Sequence, residues 1–130
     1  MGDAAIKFIV APWSEKAAAQ LETIKGAYLD DWAGDVASGH SRLLEVVFDG
    51  AGVGFVVWTL KGDAVEINAA ACDPIKGHDL TQTLFKFAGA MCKRHGRKRI
   101  RFETMRAGLV RKLKGKMQMK HVMEAEYVQQ

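Results

Sequence analysis

Between Lys93 and Lys120 twelve basic residues are opposed by one acid, Glu103, so this stretch carries a local charge of +11. From Met1 to Asp49 the balance reverses, with four basic residues (Lys7, Lys16, Lys25, Arg42) and eight acidic ones, a local −4. The net +4 of the whole chain hides that polarity. A positive field on one side of a molecule favours an anionic partner. Three chemistries fit it: a phosphate-rich small molecule, a nucleic acid, or a basic face that is simply solvated. A nucleic-acid platform would draw on Arg97, Lys98, Arg99, Arg101, Arg106, Arg111, Lys112, Lys114, Lys116 and Lys120, and predicts salt-sensitive, largely non-specific binding. Stacking on single strands is poorly served, because Phe102 is the one aromatic residue in the segment.

The other chemically capable side chains are sparse. Cys72 and Cys92 are far apart and belong to no richer set. They read as reduced, buried small hydrophobes in a cytoplasmic protein; Cys72 as a nucleophile is the weaker alternative. His40, His78, His95 and His121 are scattered, and no metal site is expected from them. Trp13, Trp32 and Trp58 are expected in the core or at an interface.

The elements that position these residues follow from composition and period. At 130 residues, 48% hydrophobic and 26% charged, the chain has material for a single domain spanning residues 1–130. No stretch is apolar for the roughly 18 residues a membrane span needs, and Met1 to Lys7 does not resemble a signal peptide. Ile6 to Val10 is β-prone and ends at Pro12. Ser14 can cap a helix whose apolar face runs Ala17, Leu21, Ile24, Tyr28, Trp32. Gly26 weakens it, and Gly34 to Gly39 is a break. Three strands follow, Arg42–Phe48, Val53–Leu60 and Ala64–Cys72. The intervening turns, at 49–52 and 61–63, are short enough to demand an antiparallel meander.

After Asp73-Pro74 and the loop Ile75-Lys76-Gly77-His78, Asp79 and Gln82 stand at capping-box spacing. Leu80, Leu84, Phe87, Ala88 and Met91 form the apolar stripe of a helix that closes at Gly96. Lys98–Thr104 reads as a strand, Gly108–Lys114 as a short basic helix, and Met117–Val128 as a final strand. The Met117/Met119/Met123 stripe packs on the sheet or, if exposed, marks the edge of a homodimer. Strand, helix and strand in the second half make a βαβ crossover, which pairs its strands in parallel. The expected class is α/β (α+β): one mixed, mostly antiparallel sheet with flanking helices.

This order, together with the segment Ala69-Ala70-Ala71-Cys72-Asp73-Pro74-Ile75-Lys76-Gly77-His78-Asp79-Leu80-Thr81-Gln82-Thr83-Leu84, resembles the acyl-CoA N-acyltransferase (GNAT) superfamily. The resemblance covers roughly Leu43 to Val128. The helix start Gly77 to Thr81, followed by Arg99-Ile100-Arg101-Phe102-Glu103-Thr104-Met105-Arg106-Ala107-Gly108-Leu109, is similar to small acetyltransferase-like proteins of phages and prophages.

What the resemblance implies is transfer of an acetyl group from acetyl-CoA to an amine whose identity it leaves open. In that family the fourth strand and its neighbour part, exposing backbone groups to the pantetheine arm. The next loop turns its amides toward the pyrophosphate at the positive end of a helix. Carried onto this chain, the cofactor residues are the backbone of Ala71 and Cys72 and the loop of Lys76, Gly77, His78, Asp79, Leu80 and Thr81. Glu66 and Asn68 fall where the family carries a base. The three alanines have a second explanation, tight packing of a helix on the sheet. The loop departs from the family pattern of a basic residue or Gln, two residues, Gly, one residue, then Gly or Ala: Asp79 and Thr81 replace the small residues. The tyrosine that protonates the leaving thiolate has no counterpart between Ala107 and Gly115. The departures support an alternative, a non-catalytic protein of this fold and phage origin with a structural, assembly or nucleic-acid-binding role through Arg97, Lys98, Arg99, Arg111, Lys112 and Lys114.

Overall fold

The computed structural model describes residues 6–24, 29–103, 118–121 and 124–128. In chain order the elements are β1 (Ile6–Val10), α1 (Glu15–Leu21), α2 (Leu29–Ser38), β2 (Arg42–Phe48), β3 (Ala51–Lys61), β4 (Ala64–Cys72), α3 (Leu80–His95), β5 (Arg99–Glu103), β6 (Gln118–His121) and β7 (Glu124–Val128). The described strands form a seven-stranded sheet in the order β1-β2-β3-β4-β5-β7-β6. All neighbours are antiparallel except β4 and β5, which run parallel through the α3 crossover. The mixed sheet and its single crossover agree with the expectation from sequence.

The meander is set by its turns. Asp49 and Gly50 both have positive φ, 52° and 79°, as a two-residue hairpin loop that matches strand twist requires. β3 therefore resumes at Ala51, sooner than the sequence suggests. Gly62 supplies φ 59° for the next turn. That turn fixes the β3–β4 register: Lys61 opposes Ala64, Leu60 opposes Val65 and Thr59 opposes Glu66.

Helices cover both faces of the sheet. On one, Leu84, Ala88 and Cys92 of α3 pack on Val65, Ile67, Ile100, Phe102, Leu44, Val46, Val56 and Trp58. On the other, Ala17 and Leu21 of α1 and Trp32 of α2 pack with Leu43, Phe55, Val57, Ala69 and Ala71. Both caps of α3 follow the sequence. Asp79 Oδ1 accepts the Gln82 amide at 3.1 Å, and Gly96, left-handed at φ 65°, turns its amide to the carbonyls of Cys92 and Lys93.

Two expectations are corrected. The helix foreseen from Ser14 through Trp32 is two helices. Thr23 bonds back to the Gln20 carbonyl through both its amide and its hydroxyl, closing α1 in a turn. Ala17, Leu21 and Trp32 still share one cluster, so a single apolar period runs through two helices that face the same sheet. Gly34 lies inside α2, which ends at Ser38 before Gly39 at φ 82°. The final strand is likewise two, β6 and β7, paired antiparallel with β7 between β5 and β6. No Gly, Pro, Asn or Asp stands between Gln118 and Val128 to announce a turn. The short helix expected over Gly108–Lys114 lies outside the described residues.

Candidate active site

β4 changes company half-way along. Ala64, Val65, Glu66 and Ile67 pair with β5, opposite Arg99, Ile100, Arg101 and Phe102. Beyond Ile67 the described residues give β4 ladder partners on the β3 side alone. At the same point β4 gains a residue on β3: Val57 opposes Ala69 and Trp58 opposes Ile67, leaving Asn68 as the extra residue of a bulge. Among the described residues the β4–β5 ladder thus ends at Ile67–Phe102, next to the bulge at Asn68.

The bulge also decides which way the alanines face. Ala69 and Ala71 are 4% and 2% exposed and pack beneath α1 and α2. Ala70 and Cys72 lie against the α3-side core. So two of the three alanines do admit a helix closely. Gly54 completes the fit, because a Cβ there would lie 2.4 Å from the Ala71 carbonyl oxygen and 2.6 Å from the Cys72 Cα.

Glu66 is 5% exposed and fully engaged. Asn68 Nδ2 donates to its Oε1 at 2.9 Å, and Arg101 Nη1 lies 3.7 Å from its Oε2. Thr59 Oγ1 donates to Asn68 Oδ1 at 2.7 Å, and Ser41 Oγ sits 2.7 Å from Thr59 Oγ1. Thr59, Ser41 and Arg101 were not foreseen as members of this group. Thr59 was legible in principle, since the Gly62 turn places it directly across from Glu66. Ser41 and Arg101 depend on pairing with more distant strands.

The loop after β4 is tied down from several directions. The Asp73 amide donates to the Val53 carbonyl at 2.8 Å, and Gln20 Nε2 reaches Asp73 Oδ1 at 3.2 Å. Gly77 turns the chain at φ 82°, and the His78 ring meets Phe48 edge-on at 4.9 Å. Lys76 is exposed. At the start of α3, Asp79 takes the Gln82 amide, while Leu80 and Thr81 are first-turn positions whose amides have no acceptor within the helix. Cys72 donates to the Asp73 carbonyl at 3.4 Å. Burial, and then the charge of Asp73, push its thiol pKa up, which disfavours the nucleophilic thiolate. Burial does the same to Cys92 against a weaker opposing backbone hydrogen bond.

Arg97, Lys98 and Arg99, from the basic segment, lie elsewhere. Arg97 donates through Nη1 to the Gly62 carbonyl, Arg99 Nε lies 3.4 Å from Asp63 Oδ2, and the Lys98 and Arg99 amides both bond the Asp63 carbonyl. They brace the turn where β4 begins, whereas the Lys76–Thr81 loop follows its end. The nine residues of β4 lie between the two, roughly 26 Å of extended strand. Arg111, Lys112 and Lys114 fall outside the described residues. Among those residues no group of three or more His, Cys, Asp or Glu could hold a metal ion, and no helix is long and apolar enough to cross a membrane.

No protein-family model and no curated protein sequence matches the chain. Solved structures do. A GNAT family acetyltransferase from Elizabethkingia anophelis with acetyl-CoA bound superposes with a TM-score of 0.71 at 11% identity, over 98% of this chain and 99% of that one. The chain has the GNAT acetyltransferase fold. The PaiA N-acetyltransferase of Thermoplasma acidophilum in complex with coenzyme A gives 0.63 at 16% identity, covering 95% and 99%. An acetyltransferase of Bacillus subtilis in complex with CoA gives 0.66 at 11%, covering 98% and 100%. None of the three is described as a phage protein.

Proposed function

We propose that this GNAT-fold chain is an acyl-CoA-dependent N-acyltransferase that moves an acetyl group from acetyl-CoA to an amine. The observation that carries the reading is the bulge at Asn68, where the described β4–β5 ladder ends, in the strand that leads to the loop opening α3. A strand with one free edge offers N–H and C=O groups to an extended, amide-bearing chain, as it would to an added strand. In this reading the backbone of Ala71 and Cys72 holds the pantetheine arm. Lys76, Gly77, His78, Leu80 and Thr81 supply donors for the pyrophosphate at the positive end of α3. Asp79 tests the fit: it occupies the first-turn amide of Gln82, and in this reading a phosphate oxygen takes those of Leu80 and Thr81. Acetyl-CoA, when bound, supplies an activated acyl thioester. Glu66 accepts a proton from the incoming amine, and Asn68 orients its carboxylate.

Thermal unfolding with and without acetyl-CoA tests this. Ligand at about a hundred times its dissociation constant stabilises the native state by roughly 2.7 kcal/mol. An unmoved melting curve at millimolar acetyl-CoA removes the enzyme reading.

Asp79 also favours a second reading, a domain that kept this fold and lost its cofactor. Its carboxylate at the start of α3 repels phosphates, and no tyrosine stands between Ala107 and Gly115. Such a domain would serve a structural, assembly or nucleic-acid-binding role of phage origin. Retention on DNA or RNA that weakens steeply with salt, with no response to acetyl-CoA, is its signature.

A further inference from the structure

Glu66 and Asn68 belong to a row of polar side chains that crosses consecutive strands on the α1/α2 face. Ser41 precedes β2, Thr59 is on β3, Asn68 and Glu66 are on β4, and Arg101 is on β5. The row has a direction. The single hydroxyl proton of Thr59 goes to Asn68 Oδ1, so in the 2.7 Å contact between Ser41 and Thr59 the donor is Ser41. Asn68 then donates to Glu66. Every donor points toward the carboxylate, an arrangement in which each bond polarises the next. Ser41, Thr59 and Glu66 are each no more than 5% exposed, so none has bulk water as an alternative partner.

The row sits where the described β4–β5 ladder ends. Asn68 is the extra residue between the Trp58–Ile67 and Val57–Ala69 pairs, and Ile67–Phe102 is the last pair of the β4–β5 ladder. A bulge residue drops out of the regular ladder, so its side chain must supply the missing restraint. That of Asn68 is held at both ends, by Thr59 at Oδ1 and by Glu66 at Nδ2.

We propose that Thr59 and Ser41 are positioning residues for the acyl-CoA cleft: they hold the Asn68 carboxamide, and with it the bulge at which β4 leaves β5. The inference rests on the proposed reading that the cofactor cleft lies where this ladder ends. Without the Thr59 hydroxyl, the half-buried Asn68 loses the donor at its Oδ1, and the bulge loses one of its two anchors.

Three variants of the full chain test it: Thr59→Val, which keeps the shape and removes the hydroxyl, Thr59→Ser, which keeps the hydroxyl, and Ser41→Ala. Two readouts are taken. One is acetyl-CoA affinity by calorimetry; the other, without cofactor, is the magnetic resonance of the Asn68 carboxamide protons with amide exchange across residues 66–72. Thr59→Val is expected to weaken acetyl-CoA about tenfold, a change of ~1.4 kcal/mol, to shift the Asn68 signals and to speed exchange at 68–72. Thr59→Ser stays at the wild-type values, and Ser41→Ala moves both readouts less, in the same direction. Unchanged Asn68 signals and exchange in Thr59→Val overturn the proposal, and so does wild-type affinity alongside altered signals. If the wild-type chain itself ignores acetyl-CoA, it is the transferase reading that falls, and the cofactor-free readout alone decides whether the row holds the bulge.

Discussion

Along β4, the residues Ala64–Ile67 run between two partner strands, while among the described residues Ala69–Cys72 pair with β3 alone. The closed half is built from large side chains: Val65 and Ile67, at 0% and 2% exposure, lock against Ile100 and Phe102 of β5. The open half is built from small ones, with Ala69 and Ala71 beneath the helices and Gly54 letting β3 approach. One strand thereby does two jobs. Its closed half supplies core, and its open half, paired with β3 alone among the described residues, is the part assigned to the cofactor, with a polar row standing at the border. The contrast predicts that damage to the closed half reads out as stability, and damage to the open half as ligand affinity.

The largest expected effect is in the closed half. Phe102 is 1% exposed and among the largest fully buried side chains described. Truncation to alanine removes its transfer free energy and leaves a cavity, together about 3–5 kcal/mol. Chemical denaturation of Phe102→Ala checks this through the midpoint shift. A loss under 1 kcal/mol would mean that β5 is not the anchor the contrast requires.

Gly54→Ala strikes the open half from the β3 side. The new methyl group would meet backbone, the Ala71 carbonyl oxygen and the Cys72 Cα, and backbone cannot rotate away as a side chain can. Overpacking of this kind costs roughly 1–3 kcal/mol. Because the displaced atoms belong to the residues assigned to the pantetheine arm, acetyl-CoA affinity should fall further than stability does, at a temperature well below melting. Equal affinity in variant and wild type would detach that backbone from cofactor binding.

The same contrast explains what was legible before the structure. The bounds of β2 and β4 follow from the residues around them, since Asp49-Gly50 and Gly62-Asp63 punctuate the meander and Asp73-Pro74 stops it. Both ends of α3 are written in Asp79, Gln82 and Gly96. Local chemistry sufficed for these. The division of the first helix was not legible, because Ala17, Leu21 and Trp32 serve one face of the sheet whether one helix or two presents them. Nor was the β6–β7 hairpin, which carries no turn residue. In the candidate site, Glu66 and Asn68 came with the family resemblance. The reason Asn68 matters is its lack of a partner on β3, a property of pairing between strands and not of the segment 64–72 itself. Ser41 and Arg101 join Glu66 through three strand registers at once, which no local pattern encodes.

The smallest expected stability effect carries the sharpest test of how the open half ends. Asp79 is the N-cap of α3, and its Oδ1 accepts the Gln82 amide; replacing such a cap by alanine costs about 0.5–2 kcal/mol. The same carboxylate occupies a first-turn donor and puts a negative charge beside the position assigned to a pyrophosphate. In Asp79→Ala the two consequences have opposite signs. The melting temperature falls because α3 loses its cap, while acetyl-CoA binds more tightly because the Gln82 amide is released and the repulsion is gone. A purely structural helix start gives the first change without the second. If affinity instead falls with stability, Asp79 helps to shape the loop around the phosphates, and the apparent departure from the family pattern is this chain's own way of building the same site.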